Sequence, residues 1–191
     1  MPKRPKSQVD TNTFYAHTVL LYTHLPPDHP HYALVGRVAS EWSHFEHALD
    51  LIIWDLASFN VGGLGANVVA CITSQIMGVG PRCRVIGALL ANHQVHSKAV
   101  LKALNKLKNT HGYADDRARV IHDPWWIETG SKTPAQFRAM PASDPYYGYR
   151  DISKERIEEV VTDIRSLQHQ AALLRESVHY ELESLRKKLA G

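Results

Sequence analysis

Cysteine is scarce in this chain, with only Cys71 and Cys83 among 191 residues. Both sit in helical-looking apolar surroundings, which argues for reduced thiols and against a disulfide-stapled scaffold. No run approaches the roughly 20 apolar residues that a membrane span requires. The chain starts on the basic, proline-broken run M-P-K-R-P-K instead of an apolar leader. The expectation is a cytoplasmic protein with no membrane partner, in which residues 1–8 form a disordered, solvated tail and residues 9–191 a single domain. Gly62, Gly63 and Gly65 cluster, but no lysine follows and no strand precedes them, so they read as an interhelical turn and not as a phosphate loop. Histidines come in the pairs His29/His31, His44/His47 and His93/His96, none with the companion spacing of a zinc site. No metal and no cofactor are expected. Nucleophile-elbow and kinase signatures are missing too.

What is present is charge in one place. The formal net charge is only +3, too small by itself to announce a nucleic-acid binder. From Arg82 to Arg119, however, eight Lys or Arg stand against Asp115 and Asp116 alone, which leaves the rest of the chain net negative.

Helical periodicity dominates, strand patterns are nearly absent, and no internal repeat emerges. After a short helix or turn over Val9 to Leu25, the breaker run Pro26-Pro27-Asp28-His29-Pro30 leads to Tyr32–Phe59. There Leu34, Val38, Trp42, Phe45, Leu49, Ile52, Leu56 and Phe59 recur at spacings of three and four, the stripe of a long amphipathic helix. Further helices are predicted over Leu64–Met77, Arg82–His93 and Ser97–Asn109, and a last long one over Ser153–Leu189, N-capped by Ser153. Its line of Ile157, Val160, Ile164, Leu167, Ala171, Leu174 and Val178 suits a bundle helix or a dimer seam. Prolines at 124, 134, 141 and 145 with Tyr146, Tyr147 and Tyr149 make 125–152 an insertion, a long loop or a short β-hairpin around Gln136 to Met140. The fold class expected is all-α, an antiparallel helical bundle of about five helices carrying that insertion.

The candidate site is Asp115–Trp126, D-D-R-A-R-V-I-H-D-P-W-W. Asp123 precedes a proline and resists the α region, so a helix reaching His122 should stop there. Arg117 and His122 stand five apart and point about 140° from one another on a continuous helix, whereas Arg119 and His122 share a face. An arginine fork with a histidine titrating near neutrality suits phosphodiester chemistry. The plainer alternative has Arg117 pairing with Asp115, Asp116 or Glu46, and His122 capping the helix end. Glu46 lies among apolar neighbours; it either reaches water from an edge or pairs with Arg117 or Arg119 to orient the site. Lys98, Lys102 and Lys106 line up at i, i+4 spacing, as a solvated face or as contacts to an RNA backbone. Trp125 and Trp126 can stack on a base or close a core.

The stretch R-A-R-V-I-H-D-P-W resembles the R-N-x-x-x-H motif of HEPN-domain proteins, and W-S-H-F-E-H-A-L resembles the opening helix of bacterial members. The likeness is specific over about ten residues around the motif and diffuse over the rest. It implies a small helical bundle, often a metal-independent endoribonuclease of toxin–antitoxin or phage-defence systems. It also implies a homodimer in which Arg117 and His122 of two chains form the catalytic site; Arg119, on the face of His122, and Asp123 are read beside them as supporting residues. RNA or a nucleotide would be the ligand and an antitoxin or regulator a further partner. The family most often has Asn after the arginine, and here Ala118 stands there. A catalytically silent RNA-, nucleotide- or protein-binding module is the alternative.

Overall fold

A computed structural model describes residues 22–59, 65–140 and 146–190. The expected tail, Gly62, Gly63, Pro141, Pro145 and most of the Val9 to Leu25 segment lie outside them. The chain order is β1 (Tyr22–His24), α1 (Pro30–Ala57), α2 (Ala66–Thr73), α3 (Val79–Asn92), α4 (Lys98–Lys108), α5 (His111–His122), β2 (Trp125–Glu128), β3 (Pro134–Met140), β4 (Tyr146–Asp151) and α6 (Lys154–Ala190). The molecule is mostly helical, as its periodicity predicted, but not all-α. The insertion is three strands, and β1 joins them in an antiparallel sheet of order β1-β2-β3-β4. Aromatic residues in W-W-I-E and Y-Y-G-Y-R-D favour the strand state.

Helix α1 opens with Pro30 in its first turn, and the His29 Nδ1 accepts a hydrogen bond from the His31 N–H at 3.2 Å. Its stripe of Val38, Trp42, Phe45, Leu49, Ile52 and Leu56 is buried as expected. Burying each large side chain of this kind stabilises the fold by about 1.5–3 kcal/mol relative to exposure. Helix α6 is capped as its sequence suggests, the Arg156 N–H donating to Ser153 Oγ at 3.3 Å. The line from Ile157 to Val178 packs into the same core cluster as the α1 stripe.

The bundle is not antiparallel at its centre. Arg165 donates to Glu41 Oε1 at 2.6 Å and Arg175 to Asp55 Oδ2 at 2.6 Å, while His179 Nε2 lies 3.0 Å from the same Asp55 oxygen. The partners ascend together along both helices, so α1 and α6 run parallel. The four intervening helices and the sheet are the crossover that brings the chain back to the end where α1 began. Elsewhere boundaries shift. Helix α2 is shorter than the predicted Leu64–Met77 because the chain turns at Ser74 and Gln75, whose N–H groups bond Ala70 O at 3.0 Å and Ile72 O at 3.1 Å. Val9 to Leu25, expected as a helix or turn, contributes the strand β1 in its described part.

The sheet holds the end of α5. Trp125 and Gln136 are register partners on one face, and both are buried. The Trp125 indole N–H donates to Val120 O at 3.0 Å and Gln136 Nε2 to Arg119 O at 3.0 Å. The Val120 carbonyl, which faces Pro124 and so has no N–H four residues on, thus gains a side-chain donor, and the Arg119 carbonyl, already bonded by the Asp123 N–H at 3.0 Å, gains a second one. On the opposite face His24 stacks on Trp126 at 4.1 Å, and Trp126 and Phe137 each meet Tyr149 edge-on at 6.0 and 5.3 Å.

Candidate functional site

Helix α5 ends as expected, with Asp123 at ψ 135° before Pro124. It displays the candidate residues on two sides. Arg117 turns inward to a cavity of about 420 Å³ lined by Trp42, Glu46, Arg82, Lys108 and Ala114 among others. Its guanidinium carbon sits 5.6 Å from the Trp42 ring centroid, and its Nε is buried without a hydrogen-bond partner. His122 is exposed and faces a shallow groove of about 320 Å³ with Asp115, Ala118, Arg119 and Asp123. One chain therefore brings Arg119, His122 and Asp123 together and leaves Arg117 apart from them, as the helical angle between positions five apart dictates. Arg119 Nη1 is 3.9 Å from Asp123 Oδ2, a loose i, i+4 pair. Ala118, in the slot the resemblance expects to be polar, lines the His122 groove.

Glu46 does not pair with Arg117 or Arg119. Its Oε1 lies 3.5 Å from Arg82 Nη1, and the main partner of Arg82 is Asp50, with Nε to Oδ1 at 2.8 Å and Nη2 to Oδ2 at 3.4 Å. Arg82 also donates from Nη1 to Gly78 O at 3.3 Å, fastening the turn that opens α3. Gly78 has φ +79°, a left-handed conformation that favours glycine. Of the other two carboxylates offered to Arg117, Asp116 accepts from Arg156 at 2.9 Å and Asp115 lines the His122 groove. Glu46 and Asp116 are thus held by other arginines, and among the described residues Arg117 forms no ion pair and no hydrogen bond.

Lys98, Lys102 and Lys106 are exposed along α4, opposite the buried Val100, Leu104 and Leu107. They form a solvated face that lines neither the cavity nor the groove. Lys108, half-buried at the end of the same helix, is the lysine that reaches the cavity. Trp125 is 6% exposed, with its indole N–H bound inside the core, so it offers no stacking surface. Trp126 is the half-exposed tryptophan of the two. Sequence reasoning missed Asp50 and Lys108. The i, i+4 spacing of Glu46 and Asp50, two carboxylates on one face, was the available sign of a buried cation. Among the described residues no three His, Cys, Asp or Glu side chains gather as a metal cage, and no helix is long and apolar enough to cross a membrane. No protein-family model, no curated protein and no solved structure matches the chain.

Proposed function

We propose that the chain is a HEPN-like endoribonuclease that acts without a metal as a pair of copies. The observation that carries this reading is the state of Arg117: a half-buried guanidinium whose neighbouring carboxylates are held by Arg82 and Arg156. Such a group is left for an external anion, and a phosphodiester is an anion that a planar fork can hold at two points. His122 supports it as an exposed imidazole on a helix end fixed by the sheet. Because Arg117 and His122 diverge within one chain, a working site needs a second copy to bring the complementary set.

In such a site one His122 accepts the proton of a ribose 2′-OH as that oxygen attacks phosphorus. The second His122 protonates the departing 5′-oxygen, and the arginine fork stabilises the charge on the phosphorane. The products are a 2′,3′-cyclic phosphate and a 5′-hydroxyl end. Incubation with mixed-sequence single-stranded RNA in EDTA tests this directly. Cleavage by the parent should fall about 10²–10⁴-fold in His122→Ala, with cyclic-phosphate ends in the parent digest. Cleavage that survives in His122→Ala would sink the proposal.

A second reading, a silent nucleotide-binding module, is favoured by Ala118 and by the closure of Arg117 into a cavity away from His122. No cleavage by either protein at high excess, with RNA or nucleotide binding retained, is its expected outcome. An antitoxin or regulator belongs to the first reading only, as the partner that would hold such an activity in check.

A further inference from the structure

We propose that the cavity bounded by α1, α3 and the corner between α4 and α5 binds a phosphate monoester, the terminal phosphate of a nucleotide, with Arg117 and Lys108 as its charged contacts. The proposal rests on the nucleotide-binding reading above and names the ligand chemistry and the contacts of its site; it shares only Arg117 with the endoribonuclease reading, since the cavity is built within one chain and excludes His122. Its volume of about 420 Å³ lies in the range of roughly 300–1,000 Å³ that small-molecule sites occupy.

The charge of the lining points to an anion. Arg82, Lys108 and Arg117 face Glu46 alone. Arg82 is already engaged by Asp50 and Glu46, and its role is structural, holding Gly78 O and with it the cavity wall. Lys108 and Arg117 remain, and among the described residues neither has a carboxylate partner. A guanidinium drawn partly out of water with a buried, unbonded Nε costs stability unless something completes it. An anion in the cavity would do so. The Trp42 ring, 5.6 Å from the guanidinium carbon, favours a cation at this place, and the arginine fork suits two-point recognition of phosphate oxygens.

The cavity floor adds to the same end. Gly78, Val79 and Gly80 line it at the start of the 14-residue α3, and no side chain caps that helix. Its first-turn N–H groups lack intrahelical acceptors and favour negative charge. Ile76, Val79 and Ala114 supply an apolar wall, so a phosphate bearing a nucleoside fits the lining better than inorganic phosphate does.

Calorimetric titration with AMP, beside adenosine and inorganic phosphate, tests the site. AMP should bind, inorganic phosphate should compete with it, and adenosine should not bind. Lys108→Gln and Arg117→Gln should each weaken AMP binding by about tenfold or more, while His122→Ala should leave it unchanged. Far-UV circular dichroism of each variant confirms the fold, and Lys108→Gln keeps the test valid if Arg117→Gln fails to fold. A short RNA with a 5′-phosphate, compared with its 5′-hydroxyl form, separates the two sources of the phosphate: tighter binding of the phosphorylated strand assigns the site to an RNA end, equal binding to a free nucleotide. No AMP binding at about 1 mM, or binding indifferent to both substitutions, overturns the proposal. RNA cleavage without AMP binding would remove this site alone, and AMP binding without cleavage would remove only the endoribonuclease.

Discussion

The indole N–H of Trp125 is bonded to the carbonyl of Val120, 3.0 Å away across the corner between β2 and α5. This contact joins the sheet to the helix that carries Arg117, Arg119 and His122. Trp125→Phe keeps most of the buried ring and leaves the carbonyl without that donor. The expected cost is about 1–2 kcal/mol, read as a lower urea midpoint, together with faster amide exchange over the last turn of α5. A variant as stable as the parent would mean that the carbonyl finds water and the corner is not held by this bond.

Among the described residues Arg82 is the buried arginine, its side chain 10% exposed, and Asp50 is its close partner. Asp50→Ala should destabilise by about 3 kcal/mol or more, because it leaves a desolvated guanidinium beside a single, more distant carboxylate. Glu46→Ala should cost less, since Glu46 stands at 3.5 Å and is more exposed. Chemical denaturation of both variants checks the order, and equal losses would contradict it.

His31 is buried against Trp125, ring centroids 4.3 Å apart, and burial followed by the charge of His29 lowers its pKa from 6.5 to about 4. The unfolded chain therefore binds a proton at His31 where the folded chain does not, over the window between those two values. Stability from this group is complete above pH 6.5 and declines as the pH falls towards 4. His31→Phe keeps the aromatic contact and removes the titration. The variant should show a shallower loss of denaturation midpoint between pH 6.5 and 4 than the parent; parallel curves would locate the acid sensitivity elsewhere.

A site completed by two copies makes activity depend on association. Light scattering should give twice the chain mass, and below the dissociation constant the specific activity in EDTA should fall on dilution. A strict monomer with undiminished activity would exclude the paired arrangement.

How much of this was legible in the sequence differs by element. The stripes of α1 and α6 were plain because burial on one side imposes the 3.6-residue period over many turns. The end of α5 was plain because Pro124 constrains Asp123 locally. The sheet was not: β1 and β2 are three and four residues long, too short for an alternation to emerge, and only the prolines and tyrosines marked the region. The parallel pairing of α1 and α6 depends on the path of the intervening chain, which periodicity does not encode. At the site, Glu46 was expected either to reach water from an edge or to pair with Arg117 or Arg119, and its partner proved to be Arg82. Lys98, Lys102 and Lys106 drew notice by their regular spacing, whereas Lys108, off that row, is the lysine that a half-buried helix end carries into the cavity.

The parallel course of the two long helices points their backbone dipoles the same way. Glu41 and Arg165 each stand eleven residues into their helices, so α1 and α6 start level, and His29, Pro30, Ser153 and Lys154 border one hollow at that common start. The peptide dipoles of both helices then add instead of cancelling. The positive pole lies beside the hollow, where Glu155, Glu158 and Glu159 in the opening turns of α6 stand against it. The other lies towards the far end of the 37-residue α6, where Lys187 and Lys188 in its last turn offset the negative charge. Side chains of opposite sign thus meet each pole within a turn or two, and the shared direction of the two backbones gives the particle no heading that a distant charge would follow.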